Sequence, residues 1–532
     1  MAHELSEEPD GQWTLEERLA KALSAVGKRD EALAHFREAI SLIEAMEQST
    51  VPSEMERALA VSMRREAFEG MVDFLADIGR PDEALETSER GRARAFLDAV
   101  NESQIDPHGE LTPDERAREI ELTRKVAANR QSTAALSQAV NELDAFYLEI
   151  RRSNPAYAQL RRPELATLDR MQSELAGSDS AVLEYMLGDV RSYAWAVTRK
   201  TVRLAVLPAR KEVEALVKAY CDGMAAKVTA LTPQSTAREQ RDRSRKLYLM
   251  LLQPLADSFQ GVAHLLIVPD GVLAYLPFES LVASGQPERY LLERYAISYW
   301  QSASASLALR ARSSGLPGAG KALLAFGDPD YGKPGQGTER GGATWTAIPH
   351  TRDEVLAIAR LYPPGERVLR LGEAATESAV KKEDLRQYRY LHFAVHGFAD
   401  EANPSRSGLV LSQGKDGDED GILRMDEIAH LRLNAELVTM SACRTAVGRL
   451  LDGEGLLALS RTFFYAGARN VIASLWDVND VSTAEIMKNL YIQLKTGLSP
   501  AEALRNAKLR MLRGRERLWQ DPHFWSAFVA FQ

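Results

Sequence analysis

The sequence predicts a multidomain α + α/β protein, with helical repeats at its N-terminus and a helix-covered sheet behind them. Three observations carry this. Apolar residues recur at helical spacing from about residue 13 to residue 105. After residue 180 the pattern becomes strand-like. From Ala322 onward strands and helices alternate, which is the signature of a parallel sheet covered on both faces. A chain of 532 residues also exceeds what one core supports, so two to four domains of roughly 100–200 residues are expected.

Within the helical part, Ala25 to Leu33 is echoed by Asp77 to Leu85. In both segments a glycine, Gly27 or Gly79, ends one helix, and Asp-Glu-Ala-Leu opens the next. That is the helix–turn–helix chemistry of a tetratricopeptide repeat, although the period of 79 − 27 = 52 is longer than the usual ~34. Elongated helices explain the length; an ordinary helical hairpin bundle is the plain alternative. Residues 1–105 form this repeat-like unit, whose natural task is to hold a peptide or a protein in a groove. Residues 106–175 are charged and helical, starting at Thr112-Pro113-Asp114-Glu115 and interrupted at Asn154-Pro155. No heptad persists there, so a helical connector is expected in preference to a coiled coil.

Residues 176–310 make the first α/β unit. Its strands are Ala181–Tyr185, Tyr193–Val197 and Val202–Leu207, followed by a helix to about residue 229, a polar segment from Thr232 to Arg245, a further helix and the strand His264–Val268. Residues 318–532 make the second. They carry strands at Ala322–Phe326, Tyr390–His396, Leu437–Ser441 and Val471–Trp476, and helices over Asp353–Tyr362, Gly453–Gly467 and from Val481.

Composition narrows the function. Hydrophobic content of 45% and charged content of 27% are ordinary for a globular protein. A net charge of −9 argues against a nucleic-acid platform or an anionic membrane surface, so protein partners are expected. Cys221 and Cys443 are the two cysteines and lie in segments of different character, which argues against a disulfide framework and for a reducing cytoplasm. The start, Met1 to Glu8, is polar and acidic, unlike a secretory signal, and no run approaches the ~20 apolar residues of a membrane span. A soluble cytoplasmic protein is expected.

Two strand-like segments end on chemistry: Leu391 to Phe398 contains His396, and Val438 to Thr445 contains Cys443. In open α/β sheets, ligands and reacting groups gather beyond the C-terminal strand ends. The spacing of 443 − 396 = 47 is close to the roughly 50 residues that separate His and Cys in caspase-type enzymes. An imidazole beside a thiol makes it a nucleophile near neutral pH. The backbone N–H groups of Gly397 and Cys443 are candidates for the oxyanion site. His392 precedes His396 by four residues and invites a metal reading, but no carboxylate or thiolate stands at ligand spacing, so a hydrogen-bonded core histidine is expected. No metal and no cofactor is called for.

The segments around these residues resemble the CHAT domain. They are His392-Phe393-Ala394-Val395-His396-Gly397, Leu437 to Gly448, Gly453-Glu454-Gly455-Leu456, Ala466-Gly467-Ala468, Ala473 to Val478 and Pro522 to Val529. That family comprises caspase-like cysteine peptidases, related to separase and commonly fused behind tetratricopeptide repeats. Glu89 to Asp98 likewise resembles the repeat that usually precedes it. The resemblance covers about residues 176–532. It implies a His396–Cys443 dyad, with residues 176–310 as an inactive caspase-like half packed against the active one.

Metacaspase-type relatives carry an acid two positions before the Cys, where this chain has Ser441. Separase-like enzymes carry Leu-Trp-Asp-Val-Thr-Asp, and Leu475-Trp476-Asp477-Val478-Asn479-Asp480 is similar. Asp477 or Asp480 is therefore the candidate partner of a basic substrate side chain. Asp480 also precedes Ser482-Thr483-Ala484-Glu485, a capping pattern, which makes a helix start its plain role and leaves Asp477 freer.

Three further motifs look like decoys. Asp416 to Gly421 with Glu427 matches a calcium loop, but the residues before it read as a strand and not as the required helix. Gly315 to Lys321 resembles a phosphate loop but lacks the Ser or Thr after Lys321, and reads as a linker. Gly332 to Gly342 reads as a mobile surface loop in which Arg340 offers a processing site, a loop without a role being the plain alternative.

The expected function is a regulated cysteine endopeptidase that cleaves a protein after a basic residue, its repeats receiving a protein activator or the substrate, as in bacterial defence or programmed-death systems. The alternatives are an inert caspase-like scaffold acting through the repeats, and a different thiol hydrolase on the same sheet.

Overall fold

The computed structural model describes residues 9–47, 54–102, 111–128, 133–154, 165–177, 179–226, 228–229, 232–283, 288–313, 320–331, 338–340, 343–398, 407–414, 419–441, 455–477 and 480–532. The chain opens with helices α1 (Pro9–Ala25), α2 (Arg29–Glu47), α3 (Glu54–Asp77) and α4 (Pro81–Glu102). Lengths of 17, 19, 24 and 22 residues account for the long repeat period. Gly27 and Gly79 turn the chain between partners at φ of 80° and 75°, a region that favours glycine. The acidic pairs Asp30/Glu31 and Asp82/Glu83 then occupy the first turns of α2 and α4, where the helix dipole favours negative charge. The connector is an antiparallel pair, α5 (Pro113–Ala128) and α6 (Thr133–Ser153), in which Arg118 meets Glu149 and Lys125 meets Glu142 around a small core of Val126, Leu143 and Phe146.

The first α/β part contributes strands β1 (Ser180–Met186), β2 (Ser192–Val197), β3 (Val202–Leu207), β4 (His264–Val268), the short pair β5 (Val282–Ala283) and β6 (Arg289–Tyr290), and β7 (Ala296–Tyr299). The second contributes β8 (Lys321–Pro329), the hairpin β9 (Thr338–Arg340) and β10 (Ala343–Trp345), β11 (Arg367–Gly372), β12 (Tyr388–Ala394), β13 (His396–Phe398), β14 (Gly408–Val410), β15 (Ile422–Arg424), β16 (Leu437–Met440), β17 (Val471–Ser474) and β18 (Phe528–Phe531). Eleven of these form one sheet in the order β11-β8-β12-β16-β17-β18-β7-β4-β1-β2-β3.

The sheet is mixed, not wholly parallel as expected. β11, β8, β12, β16 and β17 run together, and β18 turns back antiparallel to β17. β18 then runs parallel to β7, with Phe531 beside Tyr299, so the parallel strands of the two halves point in opposite directions. The seam carries buried charge: the Lys508 ammonium binds Glu279, whose carboxylate also accepts from the Tyr299 hydroxyl at 2.7 Å.

The repeat helices share a core with the first half. Trp13, Phe36, Phe68, Leu75 and Leu85 pack in one cluster with Val182, Trp195, Val268 and Trp300. Glu89 of α4 is fully buried and accepts from the backbone N–H groups of Ala303 (2.9 Å) and Ser304 (3.0 Å), the first turn of helix Ala303–Ser313. Three residues on, Arg92 reaches the buried Glu184 carboxylate at 3.4 Å and donates to the Pro269 carbonyl at 2.8 Å. Burial and the nearby Glu89 carboxylate push the Glu184 carboxyl well above the usual carboxylate range.

Other elements depart from expectation. The polar segment Thr232 to Arg245 belongs largely to helix Gln234–Leu251, because its charged residues cover the outer face of a helix that buries Ser244, Leu247, Tyr248 and Leu251. Part of the expected mobile loop from Gly332 to Gly342 is the β9–β10 hairpin, closed by pairing Thr338 with Trp345. Gly315, like the rest of 314–319, lies outside the described residues, as does Pro155. Among the described residues no helix is long and apolar enough to cross a membrane.

Candidate active site

β12 and β16 are neighbours because both are apolar enough to lie inside the sheet: Leu391, Phe393, Val438 and Met440 are fully buried. They pair parallel from Tyr390 beside Leu437 to Phe393 beside Met440, and the Ser441 N–H donates to the Phe393 carbonyl at 2.9 Å. His396 follows Phe393 by three residues, and Cys443 follows Met440 by three. Cys443 itself, with the rest of 442–454, lies outside the described residues.

His396 is not the last residue of β12, as the sequence suggested. The strand ends at Ala394, and after Val395 the chain starts β13, the edge of a separate sheet in the order β13-β14-β15. There His396 pairs with Val410 and Gly397 with Leu409. The next strand approaches closely: a Cβ on Gly408 would stand 2.2 Å from the Leu423 carbonyl oxygen, so only glycine fits.

His396 is 8% exposed, and its ring is held from several sides. Tyr331 lies 5.0 Å away and Trp345 5.3 Å, both tilted against the imidazole. The Tyr331 hydroxyl accepts the backbone N–H of His396 at 3.1 Å and donates to the Val410 carbonyl at 2.6 Å. Nε2 stands 2.9 Å from the Thr346 carbonyl oxygen. A carbonyl can only accept, so Nε2 carries the proton and the lone pair of the neutral ring belongs to Nδ1.

His392 is the hydrogen-bonded core histidine that was expected. Nε2 lies 2.8 Å from Glu354 and Nδ1 3.2 Å from the Tyr491 hydroxyl, which in turn lies 3.2 Å from Thr439. This buried chain links helices His350–Ala359 and Asp480–Leu494 to β12 and β16. A cavity of about 10 Å³ opens above it, lined by Ile348, Thr351, Glu354, Val395, His396, Ser441, Asp480 and Thr483. Of the two candidate acids, Asp480 reaches this cavity from the first turn of its helix, whereas Asp477 is exposed and outside its lining.

Residues 241–532, more than half of the chain, match the CHAT domain. The chain belongs to the CHAT domain family. It is also similar to tetratricopeptide repeat protein 28 of Mus musculus and of Homo sapiens, at 22% identity over 613 residues, covering 96% of this chain and 24% of each relative. The chain thus spans about a quarter of the length of those relatives. Among solved structures, the separase–securin complex of Saccharomyces cerevisiae matches at a TM-score of 0.51 and 12% identity, covering 94% of this chain and 37% of that one. The fold is therefore caspase-like.

Sequence reasoning missed Thr346, Trp345, Tyr331 and Glu354 in this CHAT unit. Glu354 left a trace: with Thr351, Val355, Ile358 and Ala359 it occupies the buried stripe of its helix, where an acid is out of place. The other three lie on irregular chain or a short hairpin, with no periodicity to mark them.

Cys221 is a core residue. Its Sγ donates to the Tyr275 carbonyl at 3.4 Å, and burial pushes the thiol up, away from nucleophilic use. The described acids of the calcium-like motif pair with the chain's own cations: Lys381 binds Glu419 (2.8 Å) and Glu427 (2.6 Å), together with Glu377 (2.6 Å) outside the motif, and Arg424 holds Asp420 at 2.5 Å. Asp416 and Asp418 lie outside the described residues. Lys321 opens β8 and donates to the Tyr388 hydroxyl at 3.3 Å.

Proposed function

We propose that this CHAT protein is a cysteine endopeptidase whose dyad is His396 and Cys443 and which cleaves proteins after a basic residue. In this reading residues 318–532 are the active caspase-like half, residues 176–310 the half without a dyad, and residues 1–105, joined by the connector 106–175, receive a protein activator or the substrate. The observation that carries the reading is the shared register of β12 and β16. From Ser441, which lines the same cavity as His396, two residues of chain reach at most about 7 Å. The reading requires Cys443 to use that reach to meet the imidazole.

The chemistry follows from the tautomer. Nδ1 of His396 takes the thiol proton, and the sulfur attacks the scissile carbonyl carbon. The oxyanion is met by the N–H groups of Gly397 and Cys443. The C–N bond breaks as the imidazolium returns the proton to the leaving amine, and water then hydrolyses the thioester to release the acid and the thiol. Thr346 keeps its hydrogen bond to the ring throughout and stabilises the imidazolium form.

Proteomic identification of new N-termini, comparing the chain with Cys443→Ala, tests the reading. Cleavages present with the native chain and absent with the variant are expected. Identical N-terminomes, with partner capture through the repeats intact, would leave the scaffold reading in its place.

A further inference from the structure

The cavity beside His396 has a chemistry of its own. Two of the residues that line it, Ser441 and Thr483, carry buried hydroxyls with no hydrogen-bond partner among the described residues. Their residues are 3% and 2% exposed. Two carboxylates share the same wall: Glu354, 1% exposed with one oxygen on His392, and Asp480. Orphaned hydroxyls inside a protein are rare, and a site that leaves polar groups unpaired until a ligand arrives discriminates by their need.

Two carboxylates and two hydroxyls around about 10 Å³ give the lining an excess of acceptors and of negative charge, which suits a compact cationic donor. The space holds a single water-sized group. A lysine ammonium has that size and three donors, whereas the guanidinium of arginine is a broad planar fork. An acidic side chain would face two carboxylates, and an apolar one would leave both hydroxyls unsatisfied.

We propose that this recess takes the head group of the side chain preceding the scissile bond, that the head group is a lysine ammonium, and that Glu354 with Asp480 supplies the discriminating charge. The assignment rests on the peptidase reading above and deepens it: Asp480 acts from the helix start, Asp477 plays no part, and Glu354 is added as a specificity-determining residue.

The test uses the full chain and peptide chloromethyl ketones that differ only in the residue bearing the warhead: Lys, Arg, Leu, Ala or Asp. The rate of Cys443 labelling is followed by mass spectrometry. Lys is expected to label fastest. Glu354→Gln and, separately, Asp480→Asn are each expected to lower the ratio of the Lys rate to the Ala rate at least about tenfold. Faster labelling by Leu, Asp or Arg than by Lys overturns the assignment without the two variants, so a variant that fails to fold does not rescue it. A ratio unmoved in both folded variants overturns it too. In those outcomes Cys443 is still labelled and the dyad survives, with its basic selectivity lost where Leu or Asp leads; absence of Cys443 labelling by any reagent overturns both.

Discussion

The Nε2 proton of His396 is donated to the backbone carbonyl of Thr346 at 2.9 Å. Because Thr346 acts through its backbone, its side chain is not the handle on this bond. Trp345 is: it is 4% exposed, stacks obliquely on His396 and lies edge-on to Phe398 at 6.2 Å. Trp345→Ala removes the wall that holds the imidazole and the neighbouring carbonyl in place. Misplacement of a catalytic group by about 1 Å costs up to ~10²-fold in rate. On the proposed peptidase reading, kcat for peptide cleavage is expected to fall by about ten- to a hundredfold, with KM changed far less and Trp345→Phe restoring most of the loss. A change confined to KM in steady-state kinetics would instead make Trp345 a substrate contact.

The Lys381 cluster sets a pH dependence. Burial, with the neighbouring Glu419 and Glu427 carboxylates, raises the Glu377 carboxyl from 4.5 to about 8 against the opposing pull of Lys381. A group raised in the folded state contributes stability that is fully present below its unfolded value of 4.5 and is lost as pH climbs through about 8. The chain is therefore expected to have a higher urea midpoint at mildly acidic pH than at alkaline pH. Glu377→Gln cannot ionise and should flatten the curve over that window. Parallel curves for the two proteins would remove Glu377 as its source.

Glu89 joins the repeats to the sheet. Its carboxylate accepts from Ala303 N–H, Ser304 N–H and the Ser304 hydroxyl, all buried. Glu89→Ala leaves these donors unpaired in the interior, and each such group costs about 1–3 kcal/mol. We expect a loss of about 3 kcal/mol in chemical denaturation, and a smaller one for Glu89→Gln, which keeps an acceptor oxygen. A single cooperative transition is expected in each case, because the repeat helices and β1, β2 and β4 share one hydrophobic cluster.

Much of this fold is legible in the sequence, for local reasons. Gly27 and Gly79 mark helix ends because the left-handed turn needs them, and β12 and β16 announce themselves as short apolar runs. The seam is not legible: Phe531 pairs with Tyr299, and nothing local tells a C-terminal strand to turn antiparallel and join a strand so distant in the chain. The same holds for the site. His396 could be picked out by its position after a buried strand, but the break at Val395 and the Trp345–Thr346 support depend on a hairpin folding back over the sheet. The capping pattern marks Asp480 in the sequence as a helix start and leaves Asp477 the freer acid, whereas it is Asp480 that lines the cavity, a placement no local pattern announces.

The two cysteines should respond oppositely to alkylation. Only a thiolate is a good nucleophile, and Cys221 is 2% exposed, engaged with the Tyr275 carbonyl and pushed up by burial. In the Cys443→Ala chain, iodoacetamide is expected to leave the native protein unlabelled over a time in which the urea-unfolded chain takes up one label. Labelling of the native wild-type chain then reports Cys443 alone. A native label on Cys221 would mean that helix Arg210–Ala225 opens locally, since its Val213, Val217 and Tyr220 bury the same face that covers the thiol. Because that opening would precede modification, its rate would track denaturant concentration, whereas on the proposed dyad reading the rate at Cys443 would follow the titration of its thiol.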